Sequence, residues 1–333
     1  MSRVSIEIVD IDYNNVYDDN IGIYMKDLHI IFGTGPLGRY TAEALLEMGK
    51  EVILINRSGK MDSIPNGAKL IVGDILNLNN IKHIMIGATS IYQCAQPEYH
   101  EWIEKFPALQ RAILELSIEL KSRLIVAENL YMYGKMGDKP FKETDPYRPI
   151  SRKGQVRKEM TEELFDAHMQ GKCKVASVRG SDFFGPYEPI NGKLIFQAAL
   201  QRKKVNLLGN VNVPHSFTYV KDFGKALALC GTDERALGKT WHVPSGKAYT
   251  QKEIVDLISQ ELGYKVKYQA AGKLILSIIG LFDKGAKEVI EMLYEFNSPF
   301  ILDGSAMETT FGFKSTPMEI RIRETLEWIQ SSK

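Results

Sequence analysis

The chain has 333 residues, of which 44% are hydrophobic and 25% charged, with a formal net charge of +1. That length suffices for one large α/β body or two modest domains with a sizeable core. The near-neutral balance leaves no electrostatic footprint for nucleic acid or an anionic membrane.

The first 24 residues, MSRVSIEIVDIDYNNVYDDNIGIY, lack the apolar segment of a secretory leader. VSIEIVDI alternates as a short strand would, but the stretch 1–26 reads better as a poorly ordered tail. Met25 stands just before KDLHIIFGTG as an alternative start, which would place residues 1–24 outside the native protein. From there the pattern alternates. LHIIF (28–32) predicts a strand, PLGRYTAEALLEMG a helix ending at Gly49, and EVILIN (51–56), AKLIVG (68–73) and TSIYQC (89–94) further strands. YHEWIEKFPALQRAILELSIEL predicts helix broken near Pro107. RLIVAE (123–128) and KVASVRG (174–180) predict strands around the helix GQVRKEMTEELFDAHMQ. Short apolar runs separated by helices predict an α/β fold, a doubly wound parallel sheet of Rossmann type covered on both faces. KTWHVPS (239–245) returns to that sheet, and TQKEIVDLISQELG opens with a Thr cap. The expected division is therefore 27–186 plus 217–247 for the sheet domain and 187–216 plus 248–333 for a smaller substrate-binding region. The run LILSIIGLF (274–282) is too short to span a bilayer.

GTGPLG places Gly33, Gly35 and Gly38, with Thr34, Pro36 and Leu37 between them, at the junction of a predicted strand and helix. Tight turning, close approach to a pyrophosphate and close helix packing each favour glycine there, and the helix N-terminus offers N–H groups to the phosphates. The next strand ends in Asn56, Arg57, Ser58 and, shortly after, Lys60. NAD binding calls for a carboxylate at this point, whereas a guanidinium suits a 2′-phosphate, so NADP(H) is preferred over NAD(H). Asp74, followed by Ile75, either accepts from the adenine amino group or caps the next helix. Cys94, Ala95 and Gln96 follow the fourth strand and belong near the cofactor's ribose or nicotinamide end, with Cys94 a small apolar filler. The three cysteines (Cys94, Cys173 and Cys230) are scattered without a CxxC, and read as reduced thiols of a cytoplasmic protein. Six histidines without metal-ligand spacing predict no metal site.

Taken with YMYG (131–134), VRGSDFFGP (178–186) and HSFTYVKD (215–222), these motifs resemble the extended short-chain dehydrogenases/reductases, and more narrowly their atypical NAD(P)-dependent epimerase/dehydratase-like members. The resemblance covers roughly 27–330. It implies a Ser or Thr after the fifth strand and a Tyr-x-x-x-Lys on the following helix, the phenol carrying the proton and the lysine holding the ribose. This chain has Asn129, Lys153 and Arg157 at those places. Lys153 and Arg157 lie four apart on one helix face, so both are expected in the cleft. Arg157 keeps the cation for the ribose, Asn129 keeps a donor for a carbonyl oxygen, and Lys153, Tyr131 or Tyr133 supplies the proton. Where sugar-nucleotide relatives often place an Arg against the diphosphate, this chain has His215, read either as a packed histidine or a substrate ligand. Asp182 sits near the substrate mouth with its role open. Phe183, Phe184 and Tyr187, with LILSIIGLF, read as core or as an apolar pocket wall.

The first expectation is an NADP(H)-dependent oxidoreductase acting on a small, largely apolar carbonyl or alcohol. A non-catalytic NADP(H)-binding redox sensor and a nucleotide-sugar epimerase/dehydratase stand as alternatives. By analogy, the chain is a monomer or a homodimer formed through helices near 100–120 and 154–170.

Overall fold

The computed structural model describes residues 27–135, 137, 139–272, 276–277 and 288–332. The N-terminal stretch 1–26 and the apolar run 274–282, apart from Leu276 and Ser277, lie outside the described residues.

Seven parallel strands form the main sheet: β1 (Leu28–Phe32), β2 (Glu51–Asn56), β3 (Lys69–Val72), β4 (Ala88–Gln93), β5 (Arg123–Glu128), β6 (Val175–Arg179) and β11 (Lys239–His242), in the order β11-β6-β5-β4-β1-β2-β3. The order reverses between β1 and β4, and a doubly wound sheet opens a crevice at that point, beyond the carboxyl ends of its strands. Helices α1 (Pro36–Glu47) and α4 (Val220–Thr232) cover one face with Leu45, Phe223 and Leu227 against Leu54, Ile125 and Val178. Helices α2 (Trp102–Leu120) and α3 (Arg152–Met169) cover the other with Ile113 and Leu164 against Ile30, Ile91 and Val126. Burial on both faces explains why these strands read as unbroken apolar runs.

One expectation failed at α2, which runs unbroken through Pro107. The proline lies in the second turn, where it removes a single bond, to the Ile103 carbonyl, and apolar contacts of the helix carry the remainder. The Thr cap held: Thr250 and Glu253 form a reciprocal capping box on α5 (Gln251–Leu262).

A second core gathers Phe196, Val205, Ile254, Ile258, Ile322 and Leu326 from the C-terminal half, including α6 (Met318–Ser331). Three two-stranded pairs lie outside the main sheet: β7 (Asp182–Phe184) with β10 (Phe217–Tyr219), β8 (Val205–Leu208) with β13 (Tyr268–Ala271), and β9 (Pro214–His215) with β12 (Tyr249–Thr250). The outward faces of α2 and α3 carry Glu104, Arg111, Glu115, Glu119, Glu159, Glu162 and Asp166. Among the described residues no helix is long and apolar enough to cross a membrane.

His29 on β1 is fully buried, its Nδ1 2.9 Å from the Tyr92 hydroxyl and its Nε2 3.1 Å from Asp27. Burial pushes its pKa down to about 4, with Asp27 pulling the other way. The folded chain therefore excludes a proton that the unfolded chain takes up below about pH 6.5. His29 contributes this stability fully above that pH and loses it as pH falls toward 4. Urea unfolding of a His29→Gln variant should lose about 2 kcal/mol less stability between pH 7 and pH 5 than the parent loses. Equal losses in the two proteins would contradict a neutral buried His29.

Candidate functional site

The turn after β1 is shaped by what cannot fit. Gly33 has φ +101°, and a Cβ there would lie 2.5 Å from the Ala95 backbone nitrogen. A Cβ on Gly38 would lie 1.9 Å from the Gly33 carbonyl oxygen. Gly35 differs: a Cβ there meets nothing within 4 Å. Its open side faces the start of α1, where Pro36 leads, no side chain caps the helix and no acid occupies the first turn. The free N–H groups and the dipole's positive end thus remain available to an anion, and a pyrophosphate fits the space that a Cβ would fill.

Asn56 ends β2 and ties this turn to the following loop. Its Nδ2 donates to Thr34 Oγ1 (2.7 Å) and to the Lys60 carbonyl (2.9 Å), and its Oδ1 accepts from the Gly59 amide (2.7 Å) and from Ser58 Oγ (3.3 Å). Arg57 and Lys60 point outward, and Arg57 has no hydrogen bond or ion pair among the described residues. Arg39, on the first turn of α1, reaches across to the Ser63 carbonyl and stacks 4.0 Å over Tyr187. Asp74 closes a tight turn by accepting from the Leu76 amide (3.0 Å), and no helix follows for it to cap. Ile75 packs on the core beneath. Leu37 and Cys94 pack on the opposite core, Ala95 backs Gly33, and Gln96 is exposed. Burial pushes the Cys94 thiol up to about 12, in keeping with a filler. Beside them Gln93, which the sequence reading passed over, is buried with neither amide atom hydrogen-bonded.

The altered trio separates. Asn129 is half-buried and its Oδ1 accepts from the Tyr131 amide (3.2 Å), which turns Nδ2 outward as a donor. Lys153 is buried on the cleft side of α3, ion-paired to Glu288 and to Glu291 (3.3 Å), with its ammonium 4.5 Å from the Tyr99 ring. Arg157 corrects the expectation that both cations face the cleft. It turns inward to Glu128 (3.0 Å) and stacks over Phe106 at 4.7 Å, with only Nε unpartnered. Glu128 explains the turn. Its buried carboxylate accepts from Arg157, Thr161 (2.7 Å), Ser177 and Arg179 (3.0 Å). Burial opposes its ionisation, but Arg179, Arg157 and the two hydroxyls outweigh burial and hold it below the usual carboxylate range.

Tyr131 is half-buried and lies 3.5 Å from the Tyr99 hydroxyl. Burial first, then Tyr99, Glu295 and Asp182, push its phenol well above the ordinary range. Tyr133 does not fit the proton-donor expectation. It is fully buried against Phe141, and its hydroxyl accepts from Arg179 (2.6 Å) and sits 2.9 Å from His242 Nε2. His215 is the packed histidine of the two readings: buried, stacked on Phe296 at 5.0 Å and 2.7 Å from Asp182. Phe183 packs edge-on to Phe223, and Phe184 stacks on Phe196 in the second core. Phe184 thus belongs to that core, while the phenols of Tyr99 and Tyr131 gather near Asp182, Lys153, Glu288 and Glu291. Tyr99, Glu288, Glu291 and Glu295 carry no motif, and only the fold brings them to α3. No metal-binding cluster occurs among the described residues.

The sequence model of the NAD dependent epimerase/dehydratase family matches residues 30–243. The GDP-mannose 4,6-dehydratase of Vibrio cholerae serotype O1 is 23% identical over 296 residues, 77% of this chain and 78% of that protein. The decarboxylating sterol-4-alpha-carboxylate 3-dehydrogenase of Mus musculus is 24% identical over 66% of this chain and 64% of its own length. Among solved structures, UDP-glucuronic acid 4-epimerase from Bacillus cereus, in complex with UDP-glucuronic acid and NAD, superposes with a TM-score of 0.73 at 14% identity, covering 92% of this chain and 100% of that one.

Because Gly35 has room for a side chain, Gly35→Val should keep the parent's melting temperature and lose measurable coenzyme binding in a fluorescence titration. Retained binding would place the pyrophosphate elsewhere.

Proposed function

The chain belongs to the NAD dependent epimerase/dehydratase family and is an NAD(P)-dependent enzyme, and from that premise we propose an NADP(H)-dependent oxidoreductase that interconverts a small carbonyl and its alcohol. The observation that carries the reading is the open Gly35 cradle on an uncapped helix, joined through Asn56 to a loop whose Arg57 is exposed and unpaired. Asn56 stands where a carboxylate would repel a 2′-phosphate, and Arg57 can grip one through two parallel bonds. Bound in this cradle, the reduced nicotinamide supplies hydride.

The remaining roles fall to the chain. Asn129 Nδ2 donates to the substrate oxygen. Lys153 places positive charge where negative charge develops on that oxygen, and Glu288 and Glu291 fix its position. Phenols and carboxylates around it favour a carbonyl flanked by hydroxyl or amino groups, in place of the largely apolar substrate expected from the sequence. A second reading, nucleotide-sugar epimerase or dehydratase, draws support from the Vibrio relative. Against it stands His215, which is packed in the interior and supplies no guanidinium to meet a diphosphate.

Arg57→Ala should weaken NADPH binding about 10- to 100-fold and leave NADH binding unchanged, read as the ratio of the two dissociation constants. An unchanged ratio would remove Arg57 from coenzyme selection. Coenzyme consumption should be followed with hydroxy- and amino-substituted aldehydes and ketones, and conversion of GDP- and UDP-sugars by chromatography of the products, since an epimerase or dehydratase returns its hydride and consumes no coenzyme. Turnover of the former that falls in Lys153→Ala at unchanged NADPH affinity supports the first reading; turnover of the sugars alone would replace it with the second.

A further inference from the structure

The trio's departures leave the reaction without the phenol that would normally carry its proton, and a different group stands ready on the opposite wall. His215 makes three polar contacts, two with acceptors and one from Nε2 to the Ser181 hydroxyl at 3.3 Å. Its Nδ1 lies 3.3 Å from the Glu295 backbone carbonyl, and its Nε2 lies 2.7 Å from Asp182 Oδ2. A carbonyl oxygen only accepts, so the Nδ1 contact is a hydrogen bond when Nδ1 bears the hydrogen. The 2.7 Å contact then needs a second proton, since a bare Nε2 and a carboxylate are both acceptors. Whether written as imidazolium with carboxylate or imidazole with carboxylic acid, one proton is held between His215 and Asp182. The imidazole is buried and clamped between Phe296 and Phe300, while Asp182 remains about a quarter exposed at the cleft.

Glu295 adds an independent sign. It is buried to within 1% of full exclusion, and its Oε1 has no hydrogen-bond partner. Burial first, then the charge of Asp182, push its carboxyl well above the usual carboxylate range. Tyr99 and Tyr131 both lie within electrostatic reach of Asp182 and Glu295. The other titratable groups facing this place are Lys153, Glu288, Glu291 and Tyr294.

We propose that Asp182 is the catalytic proton carrier, with His215 and Glu295 as positioning residues that hold its proton, taking over the task of the missing tyrosine. This rests on the oxidoreductase reading above. In the reducing direction the carbonyl carbon accepts hydride from reduced nicotinamide, and the C=O π pair moves onto oxygen. That oxygen then takes the proton shared by Asp182 and His215, leaving a carboxylate and a neutral imidazole that still donates to Glu295. The carbonyl is reduced, the coenzyme oxidised, and the proton is restored from solvent past the exposed edge of Asp182. Oxidation of the alcohol runs the same path backwards.

The shared proton can be observed without substrate. In the full chain labelled with 15N-histidine at pH 7, one of the six histidines should show both ring nitrogens protonated or sharing a proton, with an exchange-protected downfield resonance. Asp182→Asn should abolish that resonance. A His215 that gives an ordinary single-tautomer spectrum, or a resonance unchanged in Asp182→Asn, would overturn the proposal even if NADPH binds and carbonyls are reduced. With any carbonyl that the parent turns over, Asp182→Asn should lower turnover about 10²- to 10⁴-fold at unchanged NADPH affinity, and undiminished turnover would equally overturn it. Loss of NADPH binding by the parent would instead strike the oxidoreductase reading and leave the histidine spectrum to decide the proton's place.

Discussion

The site's geometry descends from one steric constraint, the absence of side chains where α1 crosses the end of β1. A single methyl group on Gly38 would collide with the Gly33 carbonyl, and one on Gly33 with the backbone of Ala95. Removing both lets the helix begin directly over the strand end, with its unpaired N–H groups aimed into the crevice between β1 and β4. Asn56 fastens the same turn to the loop of Arg57 through three bonds of 2.7 to 2.9 Å. The glycine turn, the start of α1 and the loop of Arg57 are therefore tied into one corner.

The positions of the altered trio show how long-range contacts redirect a replaced side chain. Arg157 keeps the charge of the lysine it replaces but not its direction, because Glu128 at the end of β5 captures it below the cleft. A buried carboxylate flanked by two guanidiniums and two hydroxyls holds α3 on the sheet. Ion pairs of this kind are costly to break once made, since either partner alone would be an uncompensated charge. Lys153 does not turn to Glu128 and is held instead by two acids from the segment after 287. Neither substitute reproduces a phenol beside a lysine, so proton transfer falls to groups on the other wall, where Asp182 borders the opening and His215 lies behind it.

Much of this was legible in the order of residues. The parallel sheet, the glycine turn, the missing acid after β2 and the return of β11 to the sheet all follow from local patterns that burial on two faces imposes. What stayed hidden depends on long-range contact. The partners of Lys153 lie 135 and 138 positions downstream, in a stretch with no motif. Glu128 reads as an unremarkable strand end until Arg157 and Arg179 converge on it. Tyr133 looks available because it neighbours Tyr131, but successive residues of the short turn 131–133 point in different directions, one to the cleft and one into a cluster with Phe141 and Phe300. For Phe183 and Phe184 the sequence left core and pocket wall open, and the ring contacts with Phe223 and Phe196 follow the commoner of the two.

Coenzyme titration of the unmodified chain tests the central claim most directly. Quenching of intrinsic fluorescence should saturate with both NADPH and NADH, with the smaller dissociation constant for NADPH. Saturation with neither would contradict the corner formed by Gly35, α1 and Asn56 as a dinucleotide site.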